Sequence, residues 1–160
     1  MKLKNETLSK NFLIYGFGKS GISSLKYLKK KNRCFIFDDD KKKIKNKYKK
    51  FFISRSKLLN YNFDYIVISP GININRCQLS NYLKKNQKKV ITDFDIFYKF
   101  NPQVLTITIT GTNGKSTTSK LLYDILKKHN YDARLTGNIG NPILEEKKIT
   151  RNTIFVIEAS

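Results

Sequence analysis

The chain has 160 residues, room for one domain or for a small domain plus part of a second, and 39% of them are hydrophobic, enough for a core and too many for wholesale disorder. The formal net charge is +20, but residues 1–100 hold 24 Lys and Arg against 7 Asp and Glu while residues 101–160 hold 8 against 5, and the excess sits in short lysine runs at 29–31, 41–50 and 84–89. Aromatics are not interleaved with arginines and no run of eighteen apolar residues occurs, so neither specific nucleic-acid recognition nor a membrane span is expected.

Met1–Glu6 lacks the apolar stretch and small-residue cleavage site of a signal peptide. Phe12-Leu13-Ile14-Tyr15 reads as a short strand, followed at once by Gly16-Phe17-Gly18-Lys19-Ser20-Gly21. Ile22, Leu25, Tyr27 and Leu28 then recur at near-helical spacing. Cys34-Phe35-Ile36-Phe37 is a second strand that ends in Asp38-Asp39-Asp40. Strand, glycine turn, helix, strand and terminal acid form the βαβ unit in which a helix N-terminus faces a diphosphate and the glycines let backbone approach it closely. Any nucleotide diphosphate satisfies that geometry, with Asp38 as acceptor for a ribose or base, and so does a tight turn without ligand. Cys34 falls inside the strand pattern as a small core residue, and neither it nor Cys77 has metal-ligand spacing, which fits a reduced cytoplasmic compartment.

Phe51-Phe52-Ile53 is a candidate third strand and Tyr65–Ser69 a fourth, which runs into Pro70-Gly71. Leu79–Leu83 reads as a short helix and Val90-Ile91-Thr92 as a fifth strand, with Thr92 or Asp93 capping a helix from Asp93 to Tyr98. Strands alternating with helices imply a parallel sheet covered on both faces, an α/β Rossmann-like fold. Asn101-Pro102 breaks the pattern, so one domain is expected over 1–100 and a second from 101.

The second stretch opens on Val104–Ile109, suited to a buried strand, then Thr110-Gly111-Thr112-Asn113-Gly114-Lys115-Ser116-Thr117, then a helical run from Ser119 to Leu126. Strand, glycine loop, Lys-Ser and helix is the context of a phosphate-binding loop. Backbone N–H groups of Gly111–Lys115 can converge on a triphosphate, Lys115 can neutralise phosphate charge, and the Ser116 hydroxyl suits a magnesium ion. The generic pattern has a glycine six positions before the lysine, where Ile109 stands here. His129 reads as a helix-end residue. Ala133–Thr136 is a candidate strand, Gly137-Asn138-Ile139-Gly140-Asn141-Pro142 a tight loop, and Thr153–Ile157 a buried strand reaching Glu158. A carboxylate there is placed to bind a nucleotide-held metal, or equally to cap or to pair with a cation. So few strands do not complete an ATPase sheet, so 101–160 is expected to be the first part of such a domain.

Gly16–Gly21, Ser69-Pro70-Gly71-Ile72, Thr110–Thr117, Gly137–Gly140 and Ile157-Glu158-Ala159-Ser160 resemble the Mur ligases in order and spacing, and most closely the D-glutamate-adding branch. The loop without its first glycine is that family's form. The resemblance implies a UDP-binding domain over 1–100, the start of the central P-loop ATPase domain over 101–160, and a C-terminal domain absent from these residues. It implies that Gly16, Phe17, Gly18, Lys19, Ser20, Gly21, Asp38, Asp39, Ser69, Pro70, Gly71, Thr92 and Asp93 line the UDP cleft, with no nicotinamide. Gly111, Thr112, Asn113, Gly114, Lys115, Ser116 and Thr117 would bind ATP, Asn138 and Ser160 would hold the muramoyl-alanine substrate, and Ser116 would ligate one Mg2+ and Glu158 a second. The implied activity is ATP-dependent amide formation in peptidoglycan synthesis. ATP phosphorylates the alanyl carboxylate of UDP-N-acetylmuramoyl-L-alanine, and the amine of D-glutamate attacks the acyl phosphate, with Lys115 and Glu158 in catalytic roles, in a cytoplasmic monomer. Thr136 and Ala159 depart mildly from the family pattern, and the 160 residues alone are not expected to turn over. The rival readings are a sister ligase, including the folate relatives that favour a glycine where Ser116 stands, an NAD-dependent oxidoreductase, and a UDP-sugar or RNA-binding module.

Overall fold

The computed structural model describes residues 9–159, so Ser160 and the Met1–Glu6 stretch lie outside the described residues. The chain divides into two compact units, Met1–Asp93 and Phe94–Ser160.

In the first unit β1 (Asn11–Tyr15), β2 (Arg33–Phe37), β3 (Tyr65–Ile68) and β4 (Val90–Ile91) form a parallel sheet in the order β2-β1-β3-β4. Helices α1 (Lys19–Leu28), α2 (Arg55–Leu59) and α3 (Ser80–Lys85) lie in the connections. A central parallel strand has both faces covered and therefore reads as a near-continuous apolar run, and Phe12, Leu13, Ile14 and Tyr15 of β1 are all buried. Leu13, Tyr15 and Ile66 pack with Leu58, Phe63, Leu79 and Leu83 on one face of the sheet. Helix α1 packs on β1, β2 and β3 through buried Leu25 and Leu28.

Phe51-Phe52-Ile53 is not a strand. Asn46–Phe51 is a 3-10 turn, and one parallel bridge from Phe52 to Ile36 with a bond from Ile53 N–H to the Ile36 carbonyl (3.1 Å) holds the segment to β2. The aromatic residues there serve burial: Phe52 stacks on Phe37 and Ile53 is buried. Cys34 is buried in β2, and burial pushes its thiol up to about 11.

In the second unit β5 (Leu105–Ile109), β6 (Ala133–Gly137) and β7 (Ile154–Glu158) build a parallel sheet of order β5-β7-β6, with α4 (Asp93–Phe100, all but its first residue in this unit) before β5 and α5 (Lys115–Lys128) between β5 and β6. Strand β7 is central and buried at all five positions. Phe97 of α4 packs with Ile143, Phe155 and Ile157, which is why α4 groups with this unit although the sequence break reads at Asn101-Pro102. Among the described residues strand β5 pairs with β7 alone, and Leu105 is 55% exposed. Helix α5 starts at Lys115, which places Lys115 and Ser116 in its first turn, and His129 is its C-cap. Phe155→Ala is expected to cost about 3–5 kcal/mol of this unit's stability, read by urea unfolding, because the ring is fully buried and meets Phe97 edge-on at 4.8 Å.

Candidate functional site

In the first unit the residues of interest collect at the C-terminal edge of the sheet. The chain passes from β1 to β2 on one side and to β3 on the other, so the edge between β1 and β3 is a topological switch point, where open α/β sheets bind ligands. Gly16 sits there with φ +89°, its N–H bonded to the Phe37 carbonyl (3.0 Å). Ser69, just past β3, donates its hydroxyl to the Gly16 carbonyl (2.7 Å) and its N–H to the Tyr15 carbonyl (2.9 Å), which ties the two strand ends together. Pro70 and Gly71 follow exposed in a turn closed by Ile72 N–H on the Ser69 carbonyl. Thr92 and Asp93 follow β4 at the same edge, Asp93 buried as the first residue of α4.

Gly18 is the N-cap of helix α1, which has no side-chain cap and no acid in its first turn. Helix starts normally recruit Ser, Thr, Asp or Asn to satisfy their first N–H groups, and this one has no such side chain, the form that suits an anion. Gly18 and Lys19 are exposed and Ser20 half-buried, as an anion site needs. Phe17 and Asp38 play another part. The Phe17 ring is buried, and its N–H donates to Asp38 Oδ2 (2.6 Å) while Asp40 N–H donates to Oδ1 (2.9 Å), so the 4%-exposed Asp38 braces the turn from beneath. Asp39 is exposed, and it accepts from the buried Tyr15 hydroxyl (2.7 Å) and from Gln78 N–H (3.4 Å). Burial and that hydrogen bond raise the Tyr15 phenol above its ordinary range. The sequence reading passed over Tyr15, whose polar tip at the end of an apolar strand was the available signal.

In the second unit Gly111 (φ +142°) and Gly114 (φ +75°) shape the loop between β5 and α5, and Gly114 is the N-cap, again with no side-chain cap and no acid in the first turn. Gly111–Gly114, Ser116 and Thr117 are exposed. The Lys115 ammonium folds back over the loop and donates to the carbonyls of Gly111 (2.5 Å) and Thr112 (3.3 Å). A groove of about 700 Å³ runs from Ser116 and Thr117 along α5 to Leu135 and Ile139.

Glu158 ends the central strand, in register with Ile109 of β5 and Gly137 of β6. Its side chain is 5% exposed, and Oε2 is buried with no hydrogen-bond partner. A buried ionised oxygen without a donor is costly and looks for a cation or a proton. Its neighbour Gly137 has no side chain, and a Cβ there would collide with the Glu158 backbone. Asn138 donates its N–H to the Glu158 carbonyl (3.0 Å), so the two candidate residues sit together at the strand ends. Farther along, Glu146 joins Arg134 (3.5 Å) and the Asn141 amide (3.1 Å), a clamp on the loop that no local sequence signal announced.

Residues 109–159 match the family model of the Mur ligase middle domain. The chain is 34% identical over 167 residues to the UDP-N-acetylmuramoylalanine–D-glutamate ligase of Caldicellulosiruptor saccharolyticus, a match that covers 97% of this chain and 37% of that protein. The ligase of the same name from Rickettsia bellii is 34% identical over 141 residues, covering 86% of this chain and 31% of that protein. The chain thus spans about a third of the length of these relatives. Among solved structures, the UDP-N-acetylmuramate:L-alanyl-gamma-D-glutamyl-meso-diaminopimelate ligase from Neisseria meningitides shares the fold at a TM-score of 0.51 and 13% identity, over 94% of this chain and 52% of that one. On the matched phosphate-loop stretch and the similarity that runs through both units, the chain belongs to the Mur ligase family.

Proposed function

We propose that the chain is the nucleotide-handling part of an ATP-dependent ligase that joins D-glutamate to UDP-N-acetylmuramoyl-L-alanine in peptidoglycan synthesis. The observation that carries this reading is the buried Glu158 carboxylate with its unpartnered oxygen, set at the end of the central strand between the phosphate-loop strand and the Gly137-Asn138 turn. The relatives at 34% identity bear the name of that reaction.

The first unit holds the UDP portion at the Gly16–Gly21 turn, with Asp39, Ser69-Pro70-Gly71 and Thr92-Asp93 around it and Asp38 supporting it. In the second unit the N–H groups of Gly111–Gly114 and the first turn of α5 meet the ATP phosphates, and Lys115 exchanges two neutral carbonyl acceptors for charged phosphate oxygens. Magnesium fits the residues present: Glu158 offers a carboxylate oxygen, Ser116 a hydroxyl, and a hard cation takes its remaining oxygens from phosphate and water. Bound there, the ion would withdraw charge from the transferring phosphoryl group. Asn138, whose N–H is bonded to the Glu158 carbonyl, would orient the muramoyl-alanine part of the substrate.

In the proposed reaction the γ-phosphoryl group of ATP passes to the alanyl carboxylate and ADP leaves. The amine of D-glutamate then attacks the acyl carbon, the amide forms, and inorganic phosphate leaves with loss of a proton from nitrogen. Phosphorylation converts an oxide, a poor leaving group, into phosphate. Residues 1–160 by themselves are proposed to bind nucleotides without completing this cycle.

Calorimetric titration of ATP with magnesium and with EDTA tests the metal assignment. Magnesium is expected to tighten ATP binding by about tenfold through the added charge-assisted contacts, and Glu158→Gln to lose most of that gain. A magnesium effect of equal size in the variant would remove Glu158 from the metal site. Tight binding of NAD with no response to UDP would defeat the ligase reading itself.

A further inference from the structure

The densest charge in the chain has no part in the chemistry above. Residues 41–50 read Lys-Lys-Lys-Ile-Lys-Asn-Lys-Tyr-Lys-Lys, seven lysines in ten positions without an acid. Two 3-10 turns, Lys41–Lys43 and Asn46–Phe51, carry most of them. The segment leaves β2 at the sheet edge where the glycine turn lies, and apolar anchors hold it there. Ile44 is buried, Phe52 bridges to Ile36, and the Tyr48 ring meets Phe17 edge-on with centroids 5.0 Å apart. Phe17 is the second residue of the glycine turn, so the lysine segment is fastened to that turn directly.

The three acids just before it cancel at most three of its seven positive charges. Asp38 is engaged by the N–H groups of Phe17 and Asp40, Asp39 by the Tyr15 hydroxyl, and Asp40 by Lys42 N–H (3.0 Å). Among the described residues Lys41, Lys42, Lys45, Lys47, Lys49 and Lys50 form no ion pair. Lys47 lies over the Tyr48 ring and Lys50 over the Phe51 ring, contacts that leave their charge in place. Lys19 adds a further cation at the first position of α1. Like charges concentrated this way repel one another, and they raise the local concentration of an approaching anion.

We propose that residues 41–50 form a cationic collar on the glycine turn that draws in and holds the diphosphate of a uridine nucleotide. This rests on the nucleotide reading of the first unit. The collar acts through charge, so its contribution is largest at low ionic strength and is screened by salt.

The test compares two variants of equal charge change in the full chain. Lys45→Gln/Lys47→Gln/Lys49→Gln removes three charges from the collar. Lys29→Gln/Lys30→Gln/Lys31→Gln removes three from the segment that precedes β2, at the opposite edge of the sheet. UDP and inorganic pyrophosphate are titrated into each at low and at physiological ionic strength. The collar variant is expected to bind UDP about tenfold more weakly at low salt and to show a flatter salt dependence, while the control stays within about twofold of wild type. Pyrophosphate should follow the same order, because the collar reads the diphosphate. Equal losses in the two variants, or an unchanged affinity in the collar variant, overturn the collar while wild-type UDP binding leaves the nucleotide reading standing. Absence of UDP binding by the wild type overturns both. Lys47→Gln alone, which leaves the anchors Ile44 and Tyr48 in place, repeats the comparison should the triple variant lose its circular dichroism.

Discussion

Lys115→Ala is expected to weaken ATP binding by about thirtyfold, the loss of about 2 kcal/mol that goes with a hydrogen bond to a charged group. The wild-type ammonium is held over the loop by the Gly111 and Thr112 carbonyls, so little reorganisation is needed before it meets a phosphate. Those two bonds are solvent-exposed and contribute little to folding, so the thermal midpoint should stay close to that of wild type. That separation gives the experiment its force: affinity falls while the fold persists. Titration of ATP into both proteins, with circular dichroism to follow unfolding, reads both quantities. Equal affinities would mean that the β5–α5 loop is a turn with no phosphate to hold.

Gly18→Val and Gly21→Ala are expected to fail in opposite ways, although both alter one Gly-x-Gly-x-x-Gly turn. A Cβ on Gly21 would run into the Gly16 carbonyl, and a main-chain atom there cannot step aside. Helix α1 would have to lift from the sheet, at a cost of about 2–3 kcal/mol, and nucleotide binding would go with it. Gly18 has no heavy atom within 4 Å of its ideal Cβ, and its backbone (φ −82°, ψ −156°) is open to any residue. Gly18→Val should therefore fold with wild-type stability and lose UDP binding, because the branched side chain stands where the diphosphate must approach the helix start. Urea unfolding and UDP titration of the two variants decide the matter. A Gly18→Val protein that binds UDP as wild type does would show that the turn serves packing alone.

Both strand–glycine–helix units were legible in the sequence because each signal lies within about ten residues: an apolar run, glycines, then helical spacing. The two uncapped helix starts, the exposed loop around Asn113, the His129 cap and the burial of β7 all lie where that reading expects them. The Phe51-Phe52-Ile53 stretch misled because apolar aromatic runs serve equally well to bury a 3-10 turn against a neighbouring strand. Asp38 reads as a ligand-facing acid, and its two oxygens turn out to be engaged by the backbone of the turn it supports.

The amino-acid sequence alone determined that this protein carries two glycine-led helix starts after apolar strands, since glycine placement and local periodicity are written in neighbouring residues. Strand order was left to the tertiary structure. β3 comes to lie beside β1, which brings Ser69 onto Gly16, and β7 inserts between β5 and β6, which sets Glu158 between Ile109 and Gly137. Those partners stand about twenty to fifty positions apart, and what joins them is the burial of both faces of a parallel sheet, a property of the whole unit that no short window of sequence contains.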